Sequence, residues 1–499
     1  MSTAPRKRRQ AASGRPAVGT PAPQPERAAV PGGPLAYAAA AAVALAPCFW
    51  QSRIQAGDLG SHIYNAWLAQ LIQQGKAPGL AIVPQYTNVM FDVLLSVLFN
   101  AFGAAAAQRI AVALAVLVFT GGAFAFCRAV SRNAWTVLPL LIAVAYGWTF
   151  HMGFFNFYLG LGFCFWALAA GWELRPKGLA VAAAFFVLAL VAHGLAVPWA
   201  AALLIWRWAA RRWKSARWVL FGLALAGIVV LRIALGSLVQ ARWDPYQPLY
   251  ATGAFQLWVY GTPFLWAAAA LGLLWVALIA LRVAAEGAGT VFSSDLFMIS
   301  ALTAAGILLI PNTAFLAAYH HPLVYITERM SLALAVCLCA LAAPATRRAW
   351  QEYAAAAVAL LFFALLYPAE AALNRFEDAE AAVLSGLPQG ARVISSVEAP
   401  YIQVIALTHM IDRECIGRCY SYANYEPATG QFRIRVTGPE NIVAPTDGES
   451  SALQGGIYVV RPQDLPLYQI FVDAYGQLHL RNLPAGRQNG LTAWTGLGK

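Results

Sequence analysis

Residues 178–210 read GLAVAAAFFVLALVAHGLAVPWAAALLIWRWAA. Only His193 and Arg207 in this run of about 33 residues are ionisable, and one straight helical crossing of a hydrocarbon core takes about 20 residues. His193, Gly194 and Pro198 lie near the middle, and Gly and Pro interrupt helices. The run is therefore expected to fold back as a tight helical hairpin with those three residues at its tip. Working outward, comparable apolar runs occupy 35–50, 108–127, 134–150, 157–172, 218–236, 260–282, 294–310, 329–343 and 350–368. The expected fold class is an all-α polytopic membrane bundle of about 11 transmembrane helices, followed by a C-terminal external α/β domain.

Composition agrees, since 60% of residues are hydrophobic and 11% charged, against about 25% charged in an ordinary soluble domain. The formal net charge is +12. Arg6, Lys7, Arg8, Arg9, Arg15 and Arg27 precede the first apolar run, and most other basic residues lie in short links between runs. That placement is a topology signal, so nucleic acid is not an expected partner. Residues 1–34, rich in Pro, Ala, Gly and Arg, read as a disordered basic cytoplasmic tail. The run from Leu35 to Trp50 comes too late for a secretory signal and reads as an uncleaved first helix.

Segment 88–104 is ambiguous because Asn88, Asp92, Ser96 and Asn100 recur every fourth residue and make one polar stripe on a helix. If the segment lies along or dips into the outer interface and the hairpin exists, Arg128, Arg132, Arg175 and Lys177 fall inside with Arg207, Arg211, Arg212, Lys214, Arg217, Arg282, Arg347 and Arg348. The positive-inside rule selects that arrangement. The bundle then covers 35–370, with a long first outer loop at 52–107, and the external domain covers 371–499. Strands are expected at 392–397, 431–436 and 456–461, between Pro and Gly turns. Cys48, Cys127, Cys164, Cys337 and Cys339 fall in apolar runs. Cys415 and Cys419 fall in the external domain, where an oxidising compartment favours a disulfide between them. Zinc held with His409 and Asp412 is the alternative.

The first outer loop opens with Gly57, Asp58, Leu59, Gly60, Ser61 and His62. On a helix Asp58 and His62 share a face with Asn65 close by, while Ile63, Trp67 and Leu71 form an apolar face. A carboxylate at the edge of an apolar bundle can accept a proton from a hydroxyl or amine. An Asp at a helix start is also among the best N-caps. His62, His151, His193, His320 and His321 all fall on the outer side. No HExxH-like or DxD pair appears, so no metal ligand set and no cofactor are expected; a divalent metal is compatible but not indicated.

A short cytoplasmic tail, one helix, a long outer loop opening with Asp and an amphipathic helix, many further spans and a C-terminal external domain together resemble the GT-C glycosyltransferase superfamily. That superfamily includes the aminoarabinose transferases and the protein O-mannosyltransferases. The resemblance covers about residues 35–370, and its local part is Gly57, Asp58, His62, Tyr64, Asn65, Ala66 and Gly75. It implies a catalytic Asp58 that positions or deprotonates the acceptor, and a polyprenyl-phosphate sugar as lipid-linked donor at the outer face of a bacterial cytoplasmic membrane. The departure is the lack of a second acid, or of paired acids, in a later membrane-proximal loop. Such a donor needs cationic or hydrogen-bonding groups at its phosphate. Arg329 is the first candidate, Arg232 a second, and His62, Asn65 and His320 complete the expected substrate-binding set. Lys76, Arg109 and Arg242 are further interfacial cations. The alternative reading of each is a snorkelling side chain, or in the case of Arg329 an ion-pair partner of Glu328. A transporter or flippase of a lipid-linked substrate, or a noncatalytic membrane assembly protein, is the alternative function.

Overall fold

The structure, a computed structural model, describes residues 1, 33–131, 133–317, 320–344, 346–438 and 442–497. The tail expected at the N-terminus, after Met1, and Arg132 lie outside the described residues. Among the described residues, five helices are long and apolar enough to cross a membrane: Met90–Val130, Ala134–His151, Lys214–Leu238, Pro263–Glu286 and Ala349–Leu384. Shorter apolar helices span Pro34–Cys48, Phe155–Gly171, Pro176–Ala192 and Asp295–Leu309. Two more, Ala196–Arg212 and Ile326–Ala342, carry charges at one end.

The long run does fold back. Its first arm starts with Pro176 and ends at Ala192, where His193 takes an extended backbone with φ −166° and ψ 119°. Pro198 is not at the tip. It sits in the first turn of the second arm, where a missing N–H breaks no helical bond.

The striped segment becomes the first arm of Met90–Val130, set off from the apolar remainder by a kink at Gly103, whose φ of 74° suits glycine. Three of its polar residues find protein partners. Asp92 bonds to His62 at 2.7 Å, Ser96 accepts from Arg433, and Asn100 accepts from Gln70 at 3.1 Å. The stripe thus faces the helix Leu59–Gln73 and the tail.

Two boundaries differ from expectation. The last apolar run does not stop near 368 but continues through Pro368 as one helix to Leu384, so a division at 370 falls inside a helix. Its later turns carry Glu370, Asn374, Glu377 and Glu380 inward, which is why hydropathy alone ends it early. Second, 456–461 is not a strand and contributes only an isolated bridge, Val459 to Gln488. The sheet is built instead from Arg392–Ser395 flanked in parallel by Tyr420–Ser421 and Leu467–Val472, with Leu478–Leu483 antiparallel at the edge.

The tail and the long loop after the first helix are interleaved. Leu80–Ile82 pairs antiparallel with Ile434–Val436, and Leu59–Gln73 is covered on both faces, burying Ser61, His62 and Asn65 as well as Ile63. The first two turns of the amphipathic helix therefore have no solvated side, while Gln73 at its end is exposed. A buried ion pair fastens the same junction: Arg413 Nε donates to Glu377 Oε1 at 2.7 Å, and its Nη1 donates to Gln108 Oε1 at 2.8 Å and to the Ile54 carbonyl at 3.1 Å. Gln55 satisfies the other Glu377 oxygen at 2.7 Å. With its hydrogen-bonding capacity filled, this pair specifies one docking geometry.

Candidate functional site

Asp58 enters the site through backbone contacts. The Gly57 N–H donates to the His151 carbonyl at 2.7 Å and the Asp58 N–H to the Met152 carbonyl at 3.0 Å. On the other side the tail closes in so tightly that a Cβ on Gly57 would stand 2.6 Å from the Ile405 carbonyl oxygen, and one on Gly60 1.9 Å from that of His409. Asp58 occupies the N-cap position of Leu59–Gln73, yet its side chain accepts no capping hydrogen bond. Its carboxylate is turned elsewhere, with Oδ1 3.7 Å from His409 Nε2. His409 Nδ1 is held by Asp412 Oδ2 at 2.8 Å, and Asp412 in turn accepts from Ser421 and from Asn424. Burial alone would lower the His409 pKa, but Asp412, Asp58 and Glu426 outweigh it and hold it above the usual histidine value.

One turn along the helix, His62 lies between two acids. Its Nδ1 is 2.7 Å from Asp92 Oδ1 and 3.5 Å from Glu426 Oε1. Burial acts to lower the His62 pKa; Asp92, Glu426 and Asp58 overcome that and hold it up at about 9. Burial pushes Glu426 up to about 7, against the pull of His62 and a 3.0 Å hydrogen bond from Ser61.

Arg329 approaches from the opposite wall, in the first turn of Ile326–Ala342, after Tyr325 in a left-handed backbone with φ 60°. It does not pair with Glu328, whose carboxylate is taken by Asn312 and Thr327. Its guanidinium instead lies 3.8 Å over the Phe154 ring, with Nη1 3.5 Å from His193 Nε2. Burial first, and Arg329 second, pull His193 down to about 3, so the imidazole is neutral and accepts. The Arg329 Nε is buried without a partner among the described residues. An N–H in that state is one a ligand oxygen would satisfy.

Asp58, His62 and Arg329 line one cavity of about 270 Å³, with His193, His409 and Tyr425 also in its walls. A second cavity of about 620 Å³ is apolar, lined by Trp199, Leu203, Ile228, Leu231, Ile307 and Met330 among others. The helix Ile326–Ala342 borders both, giving Arg329 to the first and Ile326, Thr327 and Met330 to the second.

The other expected residues are elsewhere. Asn65 is buried behind the cavity, donating to Ser61. Arg232 is not brought to the site: it donates to the Leu309 carbonyl at 3.2 Å and lies 4.8 Å from the Trp243 ring, which answers its charge locally. His320 is exposed and its N–H donates to the Thr429 carbonyl; His321, next in sequence, lines the cavity. Arg109 donates to the Gln51 and Ser52 carbonyls, and Arg242 lies over Phe315. Cys415 and Cys419 are joined to each other, with Cα atoms 4.6 Å apart, leaving His409 and Asp412 bonded together. Reading the sequence missed Tyr425 and Glu426, for which no local signal exists. His409 and Asp412 entered the sequence reading only as candidate zinc ligands beside Cys415 and Cys419. Compared with family models, curated proteins and solved structures, the chain matches none.

Proposed function

We propose that this protein is a GT-C-like membrane glycosyltransferase of about 11 transmembrane helices, with its N-terminus cytoplasmic and its tail domain at the outer face of a bacterial cytoplasmic membrane. The donor is a polyprenyl-phosphate sugar. The observation that carries this reading is the adjacency, along one helix, of a polar cavity holding Asp58 and Arg329 and a larger apolar groove. That pairing suits a substrate with an anionic head and a hydrocarbon chain. The chain lies in the groove, and the phosphate meets Arg329, whose fixed donors compensate the charge that grows on the leaving phosphate. An acceptor hydroxyl or amine gives its proton to Asp58 as its oxygen or nitrogen attacks the anomeric carbon. The bond from that carbon to the phosphate oxygen breaks, its electron pair leaves with the phosphate, and one displacement inverts the centre.

Binding can be tested without knowing the acceptor. Purified protein in nanodiscs is titrated with a polyprenyl monophosphate and, separately, with the matching polyprenol, following the fluorescence of Trp199 and Trp206. Arg329→Gln is expected to weaken binding of the phosphate at least about 10-fold, the loss of one charge-assisted contact, and to leave the polyprenol unchanged. Equal affinity of wild type for the two lipids would refute the reading.

A further inference from the structure

We propose that His62 Nδ1 and one carboxylate oxygen each from Asp92 and Glu426 form a binding site for a divalent transition-metal ion of the Zn²⁺ or Mn²⁺ type. The three ligand atoms lie within 4.8 Å of one another, with His62 Nδ1 2.7 Å from Asp92 and 3.5 Å from Glu426. Around a tetrahedral ion with bonds of about 2.0–2.2 Å, neighbouring ligand atoms stand about 3.4 Å apart. The present spacings bracket that value. The short edge is the one that opens when the proton held between His62 and Asp92 is released and an ion takes its place.

Charge points the same way. Two fully buried carboxylates share one imidazole, and Arg433, although close, donates to the Asp92 carbonyl and to Ser96. A divalent ion with neutral His62 supplies the second positive charge that the pair of acids lacks. One imidazole nitrogen with two carboxylate oxygens suits zinc or manganese, whereas magnesium prefers an all-oxygen octahedron.

The surroundings have the form of an outer ligand shell. Asn156 Nδ2 donates to the second oxygen of Asp92 at 2.8 Å, and Ser61 Oγ donates to Glu426 at 3.0 Å. Such hydrogen bonds orient first-shell ligands. Independently of the trio, Asn65 Oδ1 is buried, on a residue 3% exposed, and accepts no hydrogen bond among the described residues, while its Nδ2 is held by Ser61. That amide oxygen, one turn along the helix from Ser61, is open to a donor such as water. His62 lines the polar cavity, which gives the ion an entry path. The ligands come from the helix Leu59–Gln73, the arm beginning at Met90 and the tail helix Glu426–Thr429, so a bound ion ties the tail to the outer loop.

The test uses full-length protein without a histidine tag, stripped with chelator, incubated with Zn²⁺, Mn²⁺ or Mg²⁺, desalted and analysed for metal by mass spectrometry. One equivalent of zinc or manganese per chain and none of magnesium is expected, and the double variant D92N/E426Q retains none. Ser61→Ala, which keeps the three ligands, is expected to bind about 10- to 100-fold more weakly. Visible bands of Co²⁺ in the wild-type site, lost in His62→Ala, establish the ligand and do not depend on how stable the double variant is. Substoichiometric metal in wild type, or equal retention by D92N/E426Q, would overturn the proposal. Neither result bears on donor binding at Arg329, so this site and the transferase reading stand or fall separately.

Discussion

Replacing Gly60 with Ala tests the junction that presents Asp58. An added Cβ would lie 1.9 Å from the His409 carbonyl oxygen and 2.8 Å from its carbon. Both are backbone atoms, so no side-chain rotation relieves the contact. Ordinary contact begins near 3.4 Å, so the His409 segment must withdraw by about 1.5 Å. It is poorly placed to do so, being fixed by the Arg413 to Glu377 pair behind it, while Asp58 is fixed by its bond to Met152. Overpacking of this kind costs about 1–3 kcal/mol, and a backbone clash belongs at the upper end. Ala recovers about 1 kcal/mol of helix propensity, leaving a net loss of about 2 kcal/mol. The assay is the thermal midpoint in detergent together with amide hydrogen exchange over 405–414. The midpoint is expected to drop by several degrees and the exchange to accelerate there. Gly222→Ala is the control, since a Cβ there meets nothing within 4 Å and should be neutral or slightly stabilising. A Gly60→Ala protein that melts and exchanges like wild type would refute the close packing of the tail on the Asp58 turn.

Asp58→Asn is expected to leave stability within about 0.5 kcal/mol of wild type, because the native side chain caps nothing. Transfer from a labelled polyprenyl-phosphate sugar should meanwhile decrease about 100- to 10,000-fold; retained transfer would remove Asp58 as the base. Opening the Cys415 to Cys419 disulfide with a double Ser substitution should cost about 2 kcal/mol, the loop-closure value for so short a ring, read as a lower denaturation midpoint of the tail. His409 gives a pH signature. Its folded pKa is raised, so its stabilising contribution is complete below the unfolded value of about 6.5 and is lost as pH rises through the folded value. Wild type should therefore lose stability relative to His409→Gln across that window, and parallel pH curves for the two proteins would contradict it.

The parts of this molecule that could be read from its sequence are those governed by local rules. Length against bilayer thickness predicted the helical hairpin at 178–210, and helical periodicity put Asp58 and His62 on one face. The same periodicity marked Asp92, Ser96 and Asn100 as a stripe in need of partners, but could not name them. Two of them, His62 and Gln70, lie 30 positions back on one helix, whereas Arg433, which meets Ser96, lies 337 positions away in the tail and is brought over by the pairing of Leu80–Ile82 with Ile434–Val436, a register that no local pattern encodes. Arg232 and Arg329 show why cations at helix ends could not be ranked by position. Both look interfacial in sequence, yet one is answered on the spot by Trp243 and a carbonyl, while the other keeps a buried N–H unsatisfied inside a cavity. The physical reason is the same in each case. In a chain with so few charges, a buried polar group must be met by another group or by a ligand, and which of these answers it is decided by the packing of distant segments. Function is therefore best sought where a buried donor left open within the chain belongs to a residue that lines a cavity, as Arg329 does beside Asp58 and His62.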